Sequence, residues 1–238
     1  MKKRIKIIVP VATSIWNEPN LREMEKYKDS DTSLDIINLQ KGPEAIDCSY
    51  DSAWSPIFTL PEVEKAAKDG YDGIIISCFA DPALQAAKEA VEIPVVGLGE
   101  ASEVFALLLG HKFCILTVGP LETDALLIDN LKMYELDHKC VGVSSIGIPV
   151  LDLKEEDKKE KSLLIELGRG FIEKGAEVII LGCGGILGVA EDVSRELGIP
   201  VIVPLDAALK MCEAMISMGV AQSKKGFPPP AVKKRIIM

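Results

Sequence analysis

The sequence contains no long hydrophobic run, no closely paired cysteines and no excess of basic residues. Its uninterrupted apolar runs are short, as in Ile74–Ile76 and Phe105–Leu109, so we expect no segment to span a membrane. The six cysteines show no CxxC or CxxH spacing, which disfavours a metal site and a disulfide framework and indicates a reducing cytoplasm. A formal net charge of −9 disfavours nucleic acid and anionic membranes as partners.

The composition is that of a folded, globular protein. Of the 238 residues, 48% are hydrophobic and 26% are charged, which argues against disorder. The basic start Met1–Arg4 leads into an apolar stretch that Lys6 interrupts. This pattern predicts a first β-strand rather than a signal peptide.

Short β-branched runs alternate with longer amphipathic stretches along the whole chain, which predicts an α/β fold. The strand candidates are mostly continuous apolar segments, as expected for parallel strands covered on both faces. The predicted strands are Ile5–Pro10, Leu34–Leu39, Gly73–Cys78, Ile93–Leu98, Phe113–Val118, Val141–Ile146, Val178–Cys183 and Ile199–Val203. The predicted helices are Leu21–Lys28, Pro61–Asp69, Pro82–Val91, Glu100–Leu109, Glu122–Leu136, Lys154–Lys174, Leu187–Leu197 and Asp206–Met218.

The second half of the chain repeats features of the first half. Cys78 recurs as Cys183 and Ile93 recurs as Ile199, an offset of 105 or 106 residues. The alternative explanation is that all βα units look alike. The constant offset favours two pseudo-symmetric lobes, each a four-stranded, mainly parallel sheet flanked by helices, with an active-site cleft between them. We expect residues 1–98 plus about 205–238 to form the first lobe and residues 99–204 to form the second.

The C-terminal segment differs in composition from the rest of the chain. Residues 222–238 contain Pro228-Pro229-Pro230 flanked by lysines. We expect an extended tail that lies on the protein surface or on a neighbouring subunit, with disorder as the alternative.

Cys78 and Cys183 fall at the carboxyl ends of predicted parallel strands, where α/β proteins bind ligands. A sulfur near a helix N-terminus is favoured as the thiolate, which lowers its pKa. If the lobes face each other, the two sulfurs flank one cleft. A thiolate and a thiol there can remove a proton from one face of a carbon and deliver one to the other. The alternative is that both cysteines fill the core, the role we assign to the remaining four, which are Cys48, Cys114, Cys140 and Cys212.

Four stretches resemble one branch of a known enzyme superfamily. They are Lys41–Ile46 with Tyr50-Asp51, Cys78–Leu84, Pro94–Ala101 and Gly175–Gly185. In this order they resemble the hydantoin racemase branch of the aspartate/glutamate racemase superfamily, and the Cys-Phe-x-Asp-Pro and Gly-Glu-Ala strings are fairly specific to it. The resemblance implies a racemase or epimerase that uses no cofactor, acts on a small molecule through Cys78 and Cys183, and forms a homo-oligomer.

The chain departs from the usual family pattern at two places. Family members usually carry an Asn-Pro-Asn-Thr-Ser-like loop after the first strand, whereas this chain has Val9–Ser14 without either asparagine. The second cysteine is usually followed by Ala-Gly, whereas here it precedes Gly184-Gly185. The substrate therefore stays open among a hydantoin, allantoin, a related amino-acid derivative and a free amino acid.

We expect the substrate to lie between the ends of the first, third, fifth and seventh strands. The hydroxyls there are candidate donors to substrate oxygens, and the backbone N–H groups after the two cysteines are candidates for stabilising an enolate. Local helix capping is the alternative role of the hydroxyls. The candidate substrate-binding residues are Pro10, Thr13, Ser14, Ser77, Phe79, Ala80, Thr117, Val118, Gly119, Gly184 and Gly185.

Three other functions fit parts of this pattern. An aspartate/glutamate-type racemase would use the same two cysteines on a free amino acid. A malonate decarboxylase or maleate isomerase would depend on only one of them. A two-lobed small-molecule binding protein would have the two lobes and the cleft but would use the cysteines only for packing.

Overall fold

The computed structural model describes residues 2–120, 124–154 and 158–234. Two four-stranded sheets form its centre. The strands of the first are β1 (Lys3–Val9), β2 (Thr32–Asn38), β3 (Gly73–Ile76) and β4 (Val95–Gly97). Those of the second are β5 (Phe113–Thr117), β6 (Cys140–Ser145), β7 (Val178–Leu181) and β8 (Val201–Ile202).

The two sheets have the same topology. The first has the strand order β2-β1-β3-β4 and the second has the order β6-β5-β7-β8. Every pairing between neighbouring strands is parallel. The predicted α/β fold with two related parallel sheets is confirmed.

The helices connect successive strands and cover the sheets. They are α1 (Asn17–Tyr27), α2 (Ser49–Trp54), α3 (Pro56–Lys68), α4 (Leu84–Ala90), α5 (Leu98–Leu109), α6 (Asp124–Met133), α7 (Lys158–Glu173), α8 (Ala190–Leu197) and α9 (Pro204–Met218). The starts of the predicted helices Glu122–Leu136 and Lys154–Lys174 include residues 122–123 and 155–157, which lie outside the described residues.

The segment before β3 contains more helix than the sequence predicts. The sequence places one helix from Pro61, whereas α2 is an additional helix and α3 begins at Pro56. Proline favours the first helical position, so Pro61 misled the prediction, whereas Pro56 holds that position. Ser55 joins the two helices, and its buried hydroxyl donates to the carbonyl oxygen of Pro10 at 2.7 Å.

Helices α5 and α9 tie the two sheets together. Although α9 follows the last strand of the second sheet, it packs against β1, β3 and β4 of the first, and it also packs against α5. Helix α5 in turn contacts β7 of the second sheet. One buried cluster therefore includes Ile7 and Ile75 from the first sheet and Ile115 and Ile180 from the second. The division into the two lobes given above remains our proposal.

The tail lies on its own chain over residues 222–227. The side-chain amide of Gln222 accepts from the backbone N–H of Val95 at 3.0 Å and donates to its carbonyl at 2.9 Å, as a neighbouring strand would. The ammonium of Lys224 donates to the carbonyls of Lys88 and Val91 at the end of α4. Residues 235–238 lie outside the described residues. No helix in the described part of the chain is long and apolar enough to cross a membrane.

Candidate active site between the two sheets

A cavity lies where the carboxyl ends of the two sheets meet. Its volume, measured as the space open to water-sized molecules, is about 70 Å³. Its walls come from β1, from the first turns after β3, β5 and β7, and from helices α1 and α6. The lining residues are Val9, Val11, Trp16, Asn20, Ala45, Ile46, Ser77, Cys78, Phe79, Ala80, Thr117, Val118, Leu126, Leu127, Val150, Gly182, Cys183, Gly184 and Gly185. The structure therefore brings Cys78 and Cys183 to one cavity.

Burial controls the acidity of both thiols. It raises the pKa of Cys78 to about 12, although the backbone N–H of Ala80 lowers it, and the nearby Cys183 and Asp81 raise it further. Burial also raises the pKa of Cys183 to about 11, against the lowering effect of the N–H of Gly185, which donates to its sulfur at 3.4 Å.

The prediction that helix N-termini lower these pKa values is wrong for this structure. Helix α4 begins at Leu84 and α8 begins at Ala190, well after Cys78 and Cys183 respectively. A helix dipole acts mainly within its first turn, so neither sulfur receives its full effect. Single N–H groups of the intervening turns act on the sulfurs instead, and burial outweighs them.

The other four cysteines lie outside the cavity lining. Cys114 and Cys212 are buried in two different core clusters, and Cys140 is half-buried against the cluster of Cys212, as predicted for packing residues. Cys48 is exposed, so its assignment as a packing residue is wrong. Its thiol donates to Asp51 at 3.1 Å, and possible ligand atoms of Asp47, Cys48 and Asp51 lie within 4.8 Å of one another.

Asp81 joins the first cysteine segment to the Gly-Leu-Gly-Glu motif. Its buried carboxylate accepts from the backbone N–H groups of Gly99 at 3.0 Å and Glu100 at 2.7 Å, at the start of α5. A Cβ atom on Gly97 or Gly99 would collide with the Asp81 carboxyl group, which explains the two glycines of the motif. Burial raises the pKa of Asp81 to about 7, although these N–H groups lower it.

Asp81 precedes the predicted helix Pro82–Val91, where an aspartate is expected to act as the N-terminal cap, but it does not cap that helix. The residue before α4 is Ala83, which has a left-handed φ of 66° and makes no side-chain capping bond. Asp81 itself has a φ of 49°. The left-handed turn places the Asp81 carboxylate at the start of α5. No sequence pattern near Asp81 indicates this contact.

Seven of the eleven predicted substrate-binding residues line the cavity. These seven are Ser77, Phe79, Ala80, Thr117, Val118, Gly184 and Gly185. The hydroxyl of Thr117 donates to the backbone carbonyl of Gly182, which follows the neighbouring strand β7, at 2.9 Å. Its proton is therefore already used and is not available to the substrate, contrary to the prediction.

The other four predicted residues are not among the lining residues and make hydrogen bonds within the protein instead. Pro10 accepts from Ser55, as described above. Oxygens of Thr13 and Ser14 accept from the backbone N–H groups of Ile15 at 3.4 Å and Asn17 at 3.0 Å. The N–H of Gly119 donates to Ile148 at 2.6 Å. The bonds of Thr13 and Ser14 match the alternative of a local turn, whereas those of Pro10 and Gly119 join segments that lie far apart in the sequence.

Sequence analysis missed the contribution of the segment around α1. Val9 and Val11, which flank Pro10, line the cavity where asparagines are usual in the family. Trp16 lies so close to Gly185 that a Cβ atom there would be 2.8 Å from its ring. Asn20, buried on α1, adds an amide to the wall. Trp16 and Asn20 do not follow a predicted strand directly, which is the signal on which the prediction depended.

Among the described residues, no Lys, Arg, His, Asp or Glu lines the cavity. Apart from the two thiols, the side-chain polar groups that line it are the Trp16 indole, the Asn20 amide and the hydroxyls of Ser77 and Thr117. Carboxylates of substrates are usually held by arginine or lysine. This wall is therefore suited to a neutral polar molecule.

The family model described as "Asp/Glu/Hydantoin racemase" matches residues 7–212. Among curated proteins, the chain is 32% identical over 221 residues to a hydantoin racemase from Rhizobium meliloti, covering 92% of this chain and 91% of the relative. It is 30% identical over 235 residues to a hydantoin racemase from Pseudomonas sp. (strain NS671), covering 98% and 94%.

Solved structures agree with the family match. The allantoin racemase from Klebsiella pneumoniae is similar with a TM-score of 0.89 and 29% identity, covering 97% of this chain and 95% of that one. The allantoin racemase from Pseudomonas fluorescens has a TM-score of 0.92 and 26% identity, covering 98% and 99%. Both the sequence matches and the structural matches extend over nearly the whole length of this chain. The chain is a racemase, and it belongs to the Asp/Glu/Hydantoin racemase family.

Proposed function

We propose that this racemase inverts the stereocentre of a 5-substituted hydantoin or a closely related cyclic ureide such as allantoin, with Cys78 and Cys183 as paired acid and base. The observation that carries the proposal is that both thiols line one small cavity whose other described lining residues are uncharged. The names of the similar racemases support the same substrate class.

The reaction needs two groups of the same kind on opposite faces of a carbon. One cysteine, as thiolate, takes the proton from ring carbon C5, and the electron pair of the C–H bond moves onto the neighbouring carbonyl as an enolate. The other cysteine, as thiol, protonates C5 from the opposite face and becomes the thiolate. The enzyme is then ready for the other enantiomer, and the two thiols alone suffice for both proton transfers.

A neutral ring fits the wall better than a free acidic amino acid. An α-carboxylate and a side-chain carboxylate would be desolvated in this cavity with no cationic partner among its described lining residues, which is costly. A hydantoin presents only carbonyl and N–H groups, which the amide, hydroxyl and backbone groups can bind. This argument favours the hydantoin over the aspartate/glutamate-type substrate.

A homo-oligomer in a reducing cytoplasm belongs to the same proposal. Helix α5 exposes Val104, Leu107 and Leu108 on adjacent turns, the kind of apolar surface that a subunit interface covers. All six cysteines are free thiols, which fits a reducing compartment.

The test is racemisation of both enantiomers of 5-benzylhydantoin and of allantoin in deuterated water at a pH where spontaneous racemisation is slow. We expect the protein to abolish optical rotation while solvent deuterium enters C5. Cys78→Ser and Cys183→Ser should each lower kcat by at least about a hundredfold, because one of the two proton transfers loses its group. Cys48→Ser, at an exposed thiol outside the cavity lining, is the matched control and should retain full activity.

The alternatives give different results in the same assay. Racemisation of aspartate or glutamate, but of no hydantoin or allantoin, would overturn the substrate assignment. Turnover of a malonate that depends on only one of the two cysteines would indicate the decarboxylase alternative. Full racemase activity in either cysteine variant would refute the two-thiol mechanism. Tight ligand binding without turnover would favour the binding-protein alternative.

A further inference from the structure

Asn20 places an amide of unassigned function in the cavity wall. Only 2% of this residue is exposed, and it lies on α1, which the two-thiol mechanism does not use. Its Nδ2 donates to the hydroxyl oxygen of Ser77 at 3.1 Å. Its Oδ1 is buried and has no hydrogen-bond partner among the described residues. Burying such an oxygen without a partner destabilises a protein, so its retention in a ligand cavity points to the ligand as partner.

Ser77 supplies the complementary group directly beside it. Its oxygen accepts from Asn20, so its hydroxyl proton remains available for another acceptor. Ser77 also lines the cavity and precedes Cys78. Asn20 and Ser77 together therefore present one acceptor and one donor side by side, next to the first thiol. A carbonyl joined to an N–H group is the chemical complement of that pair.

We propose that Asn20 and Ser77 recognise one amide edge of the substrate ring, namely the carbonyl at C4, next to the stereocentre, and the N3–H beside it. Asn20 Oδ1 accepts from N3–H, and the Ser77 hydroxyl donates to the C4 carbonyl. This inference rests on the proposed hydantoin or ureide substrate and deepens it, because it names the ring edge that determines specificity.

The arrangement also serves the proton transfer. When C5 loses its proton, negative charge develops on the C4 oxygen, to which Ser77 donates. Because Nδ2 of Asn20 holds the Ser77 oxygen, the hydroxyl is positioned before the charge appears, which is the condition for efficient stabilisation. A substrate carboxylate in this place would meet the partial negative charge of Asn20 Oδ1. Asn20 would thus disfavour the binding of free amino acids and favour the binding of the hydantoin ring.

Methylated substrates test which ring nitrogen is bound. The wild-type protein is assayed with 5-benzylhydantoin and with its N1-methyl and N3-methyl derivatives. We expect the N3-methyl compound to have kcat/KM at least about tenfold below the parent, because it lacks the hydrogen that Asn20 accepts. We expect the N1-methyl compound to lose distinctly less. An equal or greater loss for N1-methyl would overturn the assignment of the edge.

Variants separate the hydrogen bond from simple crowding by the methyl group. Asn20→Leu keeps a similar volume but removes the acceptor, so the ratio of parent to N3-methyl kcat/KM should fall to about twofold or less, through loss on the parent. If crowding alone caused the preference, this variant would keep the wild-type ratio, and the inference would be wrong.

Asn17→Leu is the matched control. Asn17 lies one turn earlier on α1, bonds to Asn38 at 3.0 Å and does not line the cavity. It should keep the wild-type ratio, and a changed ratio would count against a specific role of Asn20. Should Asn20→Leu not fold, Ser77→Ala replaces it and should lower kcat more than it raises KM for all three hydantoins; an unchanged kcat would overturn the inference. A wild-type protein inactive on every hydantoin and on allantoin would refute the proposed function itself.

Discussion

Cys78 and Cys183 lie in surroundings that oppose ionisation in the free protein. Burial in a cavity whose described lining residues include no cation outweighs the N–H groups that donate towards their sulfurs. With pKa values of about 12 and 11, only a very small fraction of each thiol is ionised at neutral pH. A thiolate of high pKa is also a strong base, which suits removal of a weakly acidic C–H proton.

The rate of alkylation by iodoacetamide should therefore depend steeply on pH. Because each pKa is raised, the thiolate fraction of Cys78 and Cys183 should grow about tenfold per pH unit from pH 7 to at least pH 9. Mass spectrometry of peptides distinguishes these two cysteines from Cys48, whose exposed thiol should react first. Circular dichroism at each pH verifies that the fold persists. A plateau near pH 7 at either cavity cysteine would contradict the raised pKa values.

The residues of the site differed in how far the sequence could predict them. The two cysteines were predictable because each follows an apolar strand in a repeated unit. Asn20 was not, because its place in the wall depends on how α1 packs against β2 and α9 and on its bond to Ser77, and not on any motif. Thr13 and Ser14 were over-assigned because polar residues that follow a strand serve a turn equally well, here through the Thr13 hydroxyl and the Ser14 carbonyl oxygen.

At the scale of elements, the turn between β3 and α4 connects the Cys78 segment to α5. The carbonyl of Cys78 accepts from the N–H of Asp81 at 3.0 Å, and the Asp81 carboxylate then bonds the first N–H groups of α5. The turn requires left-handed backbone at Asp81 and at Ala83, with φ values of 49° and 66°. Alanine carries a steric cost in this conformation that glycine does not.

Ala83→Gly should raise the free energy of unfolding by about 0.5–1 kcal/mol, because it removes the left-handed strain at Ala83. Ala86→Gly, in the interior of α4, is the matched control and should lower it by about 1 kcal/mol, the usual cost of glycine in a helix. Urea unfolding of both variants gives the two values. Equal destabilisation by the two substitutions would show that the φ value at Ala83 carries no strain.

The elements were largely predictable, whereas their ends and caps were not. Continuous apolar runs such as Val178–Leu181 identified the buried parallel strands. The start of α3 was misplaced because Pro61 lies inside the helix, where proline is rare. The cap of α5 was missed because it comes from Asp81, which lies before α4 and β4 in the sequence. Capping predictions consider only the residues next to a helix.

At the scale of the whole molecule, the cavity depends on how the two sheets are held together. Helix α9 follows the second sheet but packs on the first, and α5 contacts both α9 and β7. Contacts beside the site cross the same boundary, since a Cβ atom on Gly184 would be 3.1 Å from Leu98 and one on Gly185 would touch Trp16. The repeat in the sequence predicts two similar units, but it cannot show that their last helices pack across the boundary.

The two sheets should consequently unfold together, in one cooperative transition. In a Trp54→Phe variant, Trp16 fluorescence reports the contact between the sheets at Gly185, while far-UV circular dichroism reports all helices. Because one buried cluster includes strands of both sheets, we expect the two urea curves to coincide. Leu209→Ala, at a fully buried position of α9, should lower the free energy of unfolding by about 2–5 kcal/mol without separating the curves. A fluorescence change that precedes the loss of helix would instead show that the sheets part before they unfold, and that α5 and α9 do not join them into one unit.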